Sequence, residues 1–170
     1  MDTLDLYIKE EQYESDKVIY QFIQFTVNGK ELPKIDEVDF IRSYRNTFNI
    51  ELFTCGCGVA GCAGWFDGVD IKNRKHTVEW RLRDEPEQLK KYNVRRFYSF
   101  SKQNYEEVCL KCVQAMVEIE RKKITIPEYD DTDEFMYRGS LLELIKRLAN
   151  RYKNSEIIPI LKKEYEKQIG

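Results

Sequence analysis

The sequence predicts an α+β fold, in which hairpins of antiparallel β-strands come first and amphipathic helices follow. Alternating apolar residues and the turn signal Asn28-Gly29 characterise the first part of the chain. After Ser101 the apolar residues recur at spacings of three and four, which is the period of a helix. We therefore expect an antiparallel β-sheet of hairpins packed with amphipathic helices and ending in a C-terminal helix pair.

The first strands are predicted from two patterns. Apolar residues alternate with polar ones over 4–8, and a β-branched and aromatic run over 18–27 leads into Asn28-Gly29. This dipeptide favours a type I′ turn, because both of its central positions need a positive φ. The first 35 residues are therefore expected to form antiparallel strands.

A short helix is predicted to begin after Asp36. The Asp36 side chain is of the type that caps a helix N-terminus, and Ile35 and Phe40 are spaced as a hydrophobic staple. Residues 46–49 are expected to end this helix.

Further strands are predicted on both sides of an unusual loop. Residues 50–54 form one expected strand before the loop, and strand alternation restarts at 69–71. A polar connection over 73–76 then leads to alternating residues over 78–82, which completes a hairpin. One more strand is expected over 97–100, so the loop is held at the end of a sheet.

Three helices are predicted in the remainder of the chain. Ser101 is the expected cap of the first, whose apolar face contains Tyr105, Val108, Cys109, Cys112, Ala115, Met116 and Ile119. Residues 124–139 form an acidic connector to C-terminal helices over 140–168, which begin with the capping box Ser140-Leu-Leu-Glu143. At 170 residues the chain, 1–170, suits a single α+β domain.

Charge and composition narrow the classes of function. The net charge of −2 argues against a protein whose whole surface binds nucleic acid. The sequence lacks a secretory signal at its start and an apolar stretch of the about 20 residues that a membrane helix needs. We therefore expect a cytoplasmic protein without a membrane partner.

The region 55–68 contains three of the five cysteines and five of the eight glycines. Cys55, Cys57 and Cys62 are soft ligands on this loop, and the helix supplies Cys109 and Cys112 at a two-residue spacing. Four sulfurs from two such elements could close a tetrahedral zinc site. Zinc is therefore one hypothesis for the five cysteines.

Two other interpretations of the cysteines stay open. Cys109 and Cys112 lie on the apolar face of their helix, where a free cysteine behaves as a small buried hydrophobic residue. A redox pair would need a cation or a helix N-terminus to lower the pKa of one thiol. The sequence contains thiols that could pair, but it places neither a cation nor a helix N-terminus where it would lower the pKa of one of them.

The acidic connector and the single histidine are two further candidate sites, one for partner binding and one for catalysis. The connector's acidic residues, an expected contact surface for a basic protein partner, are Glu128, Asp130, Asp131, Asp133 and Glu134. The alternative is a solvated connector. His76, the one histidine, lies in the connection over 73–76, where a solvent-exposed turn residue is favoured over a catalytic one. No catalytic motif is apparent, which favours a non-enzymatic protein over an enzyme.

Four motifs stand out within 50–106: the knuckle Cys55-Gly56-Cys57-Gly58 with Gly61-Cys62, the Val-X-Trp strand Val78-Glu79-Trp80, the strand Phe97-Tyr98-Ser99-Phe100, and the pair Tyr105-Glu106. On these motifs the segment resembles a group of small uncharacterised bacterial proteins. The resemblance implies a bacterial origin and a shared fold. It also implies that the three loop cysteines belong together, with Cys109 and Cys112 outside the group.

Two functional hypotheses follow. The first is a non-enzymatic bacterial binding protein, of the immunity or antitoxin type, that occupies the active surface of a protein partner. The second is a zinc-stabilised or thiol-based regulatory protein in which the loop containing Cys55 and Cys62 is the working part.

Overall fold

The computed structural model describes residues 1–12, 19–44, 47–54, 68–83, 90 and 92–125. Over these residues the elements are β1 (Leu4–Gln12), β2 (Ile19–Val27), β3 (Lys30–Glu31), α1 (Glu37–Arg42), β4 (Thr47–Ile50), β5 (Val69–Asn73), β6 (Thr77–Leu82), β7 (Phe97–Ser101) and α2 (Lys102–Thr125). The strands form two sheets, ordered β1-β2-β3 and β4-β5-β6-β7. The predicted α+β class is confirmed. The C-terminal helix pair over 140–168 lies outside the described residues.

The chain divides into two compact units. One unit contains Met1–Tyr7 and Ile23–Cys112, and the other contains Ile8–Phe22 and Val113–Gly170. In the second unit, the Lys9 ammonium group lies 5.9 Å from the centre of the Phe22 ring. The single-domain extent 1–170 and the connector 124–139 stay predictions, although residues 124 and 125 are the last two of α2.

The turn between β2 and β3 has the conformation that its sequence predicts. Asn28 and Gly29 have φ values of 52° and 75°, and the flanking residues Val27 and Lys30 are register partners. A type I′ turn requires this pair of positive φ values. The buried Gln24 side chain stabilises the hairpin further, because its amide donates to the carbonyl of Leu32 at 2.8 Å.

Helix α1 begins where the capping signal predicts. The Asp36 carboxylate accepts a hydrogen bond from the Asp39 N–H at 2.7 Å. Ile35 and Phe40 are both fully buried, as expected for a hydrophobic staple. The helix ends at Arg42, with Ser43 as its C-terminal cap, and not at the predicted residues 46–49.

We expect Asp36→Ala to lower the free energy of unfolding by about 1 kcal/mol, because it removes the acceptor for the Asp39 N–H. Chemical denaturation measures this change. Asp36→Asn is the matched control, since its side-chain oxygen can still accept the same hydrogen bond. If Asp36→Asn lost as much stability as Asp36→Ala, the negative charge and not the hydrogen bond would be the stabilising feature.

The four-stranded sheet is built around the β5–β6 hairpin. Val69 pairs with Leu82 and Asn73 with Val78, and the Arg74 N–H donates to the Thr77 carbonyl at 2.7 Å. Strand β7 extends the sheet in register with β6, from Thr77 opposite Ser101 to Arg81 opposite Phe97. The predicted hairpin and the predicted strand at 97–100 are therefore both present.

Strand β4 differs from the prediction for residues 50–54. It spans Thr47–Ile50, and Phe53 instead forms an isolated bridge with Ile35. Pairing with β5 determines this position, because Thr47 lies opposite Ile71 and Ile50 opposite Val69, with an irregular register between them. Asn49 lies inside this irregularity and has a φ of 56°. The position of β4 could not be predicted from its own residues, because it depends on pairing with β5, which lies further along the chain.

An aromatic cluster fills the core of the first unit. Trp80 is fully buried, and its ring makes edge contacts with Phe53, Tyr98 and Phe100 at centroid distances of 6.4, 6.3 and 5.1 Å. The first part of α2 contributes the fully buried Tyr105, whose ring centroid lies 6.0 Å from that of Trp80 and 5.8 Å from that of Phe100. Aromatic pairs at such angles add stabilisation beyond the buried area.

Three hydrogen bonds fix the start of the chain and of α2 at β7. The Asp2 N–H donates to the Ser99 carbonyl at 2.7 Å, and the Ser99 N–H donates to the Asp2 carboxylate at 3.1 Å. The Ser101 hydroxyl accepts from the Asn104 N–H at 3.1 Å, which confirms Ser101 as the predicted cap. Asp2 thereby covers part of an edge strand that would otherwise present unpaired backbone groups.

None of the helices in the described ranges has the length and apolar character needed to cross a bilayer.

Candidate functional site

The loop cysteines Cys55, Cys57 and Cys62 lie outside the described residues, so their zinc, redox and buried-thiol interpretations stay predictions. The backbone on both sides of the loop is described. The Thr54 N–H donates to the Lys34 carbonyl at 2.8 Å, and the Gly68 N–H donates to the Asn49 side-chain oxygen at 2.8 Å. The described residues on both sides of 55–67 are therefore fixed to the fold by hydrogen bonds.

Cys109 and Cys112 are buried thiols of α2 and form no disulfide. Burial, and secondarily the Glu106 carboxylate, raises the pKa of the Cys109 thiol far above its usual range. Burial, and secondarily the Glu37 carboxylate, also raises the pKa of Cys112 well above that range. Both side chains are therefore protonated at neutral pH and behave as small apolar residues.

We expect iodoacetamide at about pH 8 to leave Cys109 and Cys112 unmodified in the native protein, because the thiolate is the nucleophile. Peptide mass spectrometry assigns the modification to each cysteine separately. In denaturant both residues should react, which serves as the positive control. Native modification of either residue at the rate seen in denaturant would contradict a buried, protonated thiol.

Metal-ligand groups were sought in the part of the chain that the structure describes. Among those residues, no group of three or more His, Cys, Asp or Glu side chains is arranged to hold a metal ion. The acidic connector, expected to contact a basic partner, is also outside this part: Glu128, Asp130, Asp131, Asp133 and Glu134. His76 is exposed in the β5–β6 connection, as expected for a turn residue.

A polar network crosses the aromatic core at Tyr105. The Trp80 indole N–H donates to the Tyr105 hydroxyl at 3.0 Å, and that hydroxyl is also hydrogen-bonded to Ser43. Because Ser43 donates its single hydrogen to the Phe40 carbonyl, the Tyr105 hydroxyl is the donor to Ser43. Burial raises the pKa of Tyr105 well above its usual value. The network is fully hydrogen-bonded and neutral, which suits a structural role.

The outward side of the β6–β7 pair has a different character. Trp80 and Tyr98 are buried register partners, so the pleat directs the next pair, Arg81 and Phe97, to the opposite face. Both are exposed, and Phe97, the first residue of β7, is 46% exposed although it is paired with β6. Arg96, also exposed, precedes Phe97 in the chain, and its carbonyl accepts from the Leu82 N–H at 2.9 Å, which places its backbone beside the end of β6. We call Arg81, Arg96 and Phe97 the Arg81–Phe97 surface.

Neighbouring charges are arranged asymmetrically around the Arg81–Phe97 surface. The guanidinium group of Arg83 lies 3.2 Å from the Asp70 carboxylate, and Arg95 forms an ion pair with Asp2. Arg81 takes part in no ion pair with any described residue, and the same is true of Arg96. Among the described residues, Asp70 and Asp2 are therefore bound by other arginines, whereas Arg81, opposite Phe97, and Arg96, which precedes Phe97 in the chain, are exposed.

Sequence reasoning did not identify the Arg81–Phe97 surface, although a signal for it was present. The inward alternation over 78–82 places Arg81 on the outer face, and burial of an aromatic residue at position 98 would place Phe97 there too. The net charge of −2 concealed the local balance: between Gly68 and Lys102 the chain has ten basic and five acidic residues.

Comparison of the chain with protein families, with curated proteins and with solved structures found no significant match.

Proposed function

We propose that this chain is a non-enzymatic binding protein of a bacterial cytoplasm that acts on a protein partner, as an immunity or antitoxin protein does. One observation carries the proposal: Phe97, the first residue of β7, is 46% exposed and lies directly opposite the exposed Arg81. The Arg81–Phe97 surface is the proposed contact site.

The residue types on this surface are those that dominate protein interfaces. Aromatic residues and arginine are enriched at positions where truncation weakens binding most. Both Arg81 and Phe97 project from paired strands, so their backbones are already ordered before binding. Less conformational entropy is therefore lost on association than for the same residues on a loop.

The buried reactive groups support the non-enzymatic part of the proposal. The Tyr105 hydroxyl is committed to two hydrogen bonds, and the thiols of Cys109 and Cys112 are buried and protonated. Groups held in this way stabilise the fold and are poorly placed to exchange protons with a substrate.

The test is copurification from the native host with the tagged full chain. Wild-type protein should retain a near-stoichiometric partner, which mass spectrometry identifies and a titration with the purified partner confirms. Phe97→Ala should weaken that binding by about tenfold or more. Tyr7→Ala is the matched control, because Tyr7 is 43% exposed on β1, outside the proposed surface.

Two results would overturn the proposal. One is the absence of any stoichiometric partner of the wild-type chain. The other is equal binding by Phe97→Ala and wild type, which would place the contact elsewhere.

Zinc binding by Cys55, Cys57 and Cys62 stays a separate prediction. Metal analysis of the purified protein tests it directly, with a variant in which the three cysteines are replaced by serine as the control. Near-stoichiometric zinc that is lost in this variant would support it, and a zinc content equal to that of the variant would contradict it.

A further inference from the structure

We infer that the Arg81–Phe97 surface recognises an acidic segment of its protein partner, one in which carboxylates flank a large apolar side chain. This inference rests on the proposed protein-binding function and specifies the chemistry of the partner. The expectation that the acidic connector contacts a basic partner concerns other residues and stays a separate prediction.

The first argument is charge complementarity. Arg81 and Arg96 are exposed and outside the described ion pairs, whereas the neighbouring carboxylates are bound by other arginines. Asp70 is held twice, since it also accepts a hydrogen bond from the Asn49 N–H at 3.0 Å. An incoming carboxylate therefore meets two exposed guanidinium groups, while the described carboxylates Asp70 and Asp2 are bound by Arg83 and Arg95. A guanidinium group can bind a carboxylate through two parallel hydrogen bonds.

The second argument is the exposed aromatic ring of Phe97, which can contact an apolar side chain of the partner. Phe97 follows Arg96 in the chain and pairs with Arg81 across the strands. An apolar side chain of the partner that covers the Phe97 ring would exclude water from the adjacent ion pairs. Charge pairs shielded from water in this way contribute more to binding than fully exposed ones.

A nucleic acid fits this surface less well, although it is also anionic. Asp70 lies directly across from Arg81, and Glu79 lies opposite Lys72 on the same face of the sheet, so acidic residues interrupt the row of basic side chains that a continuous phosphate backbone would follow. A short acidic segment needs only the two arginines. Single-stranded binding sites also stack successive bases on several aromatic rings, and Phe97 provides one.

The experiment is a selection of displayed random peptides of about 12 residues on the purified full chain. We expect enriched peptides to contain acidic residues around one large apolar residue. Their affinity, measured with synthetic labelled copies, should fall about tenfold or more for Arg81→Glu/Arg96→Glu. It should also fall for wild type between about 50 mM and about 300 mM NaCl, because salt screens exposed charges.

The matched control is Lys30→Glu/Lys75→Glu, which changes the net charge equally at two exposed lysines away from the surface. This variant should bind the selected peptides like wild type. Thermal melts of both variants establish that they are folded. The inference is overturned by an absence of enriched peptides, by enriched peptides that are neutral or basic, or by equal losses in both variants. Tighter binding of a single-stranded oligonucleotide than of the selected peptides would assign the surface to nucleic acid instead.

The same variants separate this inference from the proposed function. A native partner that is lost with Phe97→Ala but retained by Arg81→Glu/Arg96→Glu would leave the binding function in place and refute the acidic segment. The lack of any native partner for wild type would refute the binding function itself.

Discussion

Trp80→Ala is expected to lower the free energy of unfolding by about 3–5 kcal/mol. Trp80 is fully buried at the centre of the aromatic cluster, and its indole N–H donates to Tyr105. Its removal would leave a large cavity between β6, β7 and α2, because the surrounding rings can relax only partly into the space. Equilibrium denaturation in urea, followed by circular dichroism, measures the loss.

Two further variants separate the apolar and polar parts of this effect. Trp80→Phe retains a ring and removes the N–H donor, so its loss should be well below that of the alanine variant. Tyr105→Phe removes only a hydroxyl and should cost about 1–3 kcal/mol, because Ser43 and Trp80 lose a buried hydrogen-bond partner. A smaller loss for Trp80→Ala than for Tyr105→Phe would show that the polar network, and not the packing, stabilises this core.

The parts of the fold that could be predicted from the sequence are those with local physical signals. The Asn28-Gly29 turn determines a two-residue hairpin through its two positive φ values, and the Asp36 side chain determines the start of α1 through one hydrogen bond. The alternation over 78–82 and the helical spacing after Ser101 depend only on which side chains are apolar. Each signal operates within a few residues of the element that it specifies.

Strand β4 and the end of α1 could not be predicted, because they depend on distant residues. Thr47 pairs with Ile71 of β5, so β4 begins at Thr47 and not at the predicted residue 50. The bond between the Gly68 N–H and the Asn49 side chain joins positions 19 residues apart in the chain. The residue pattern over 46–54 does not indicate that Ile71 and Gly68 are the partners.

The Arg81–Phe97 surface could not be predicted from the sequence for a different reason. Clustered cysteines are recognisable in a sequence because cysteine is a rare residue. Arginine and phenylalanine are common, and a binding role for Arg81 and Phe97 depends on their exposure and strand pairing. Arginine count alone does not distinguish Arg83, which Asp70 engages, from Arg81, which has no described ion pair. That distinction appears only when side-chain positions are known.

Gly68→Ala is expected to lower the free energy of unfolding by about 3 kcal/mol, the upper end of the usual range for an added methyl group in a packed site. A Cβ atom at position 68 would lie 2.5 Å from the Ile50 carbonyl oxygen and 2.7 Å from the Asn49 carbonyl carbon. Both are backbone atoms of the β4 end, so no side chain can turn away to make room. The β4–β5 pair would have to separate, and the hydrogen bond to Asn49 would be lost.

Gly29→Ala makes the same chemical change at a position without this crowding. Nothing lies within 4 Å of a Cβ at Gly29, and the only penalty comes from its φ of 75°, which costs an L-residue about 1–2 kcal/mol. Gly29→Asn should lose less stability than Gly29→Ala, because asparagine tolerates a positive φ. Urea denaturation of the three variants gives the comparison. If Gly68→Ala were no more destabilising than Gly29→Ala, the backbone of Asn49 and Ile50 would yield readily, and close packing would not explain the glycine at position 68.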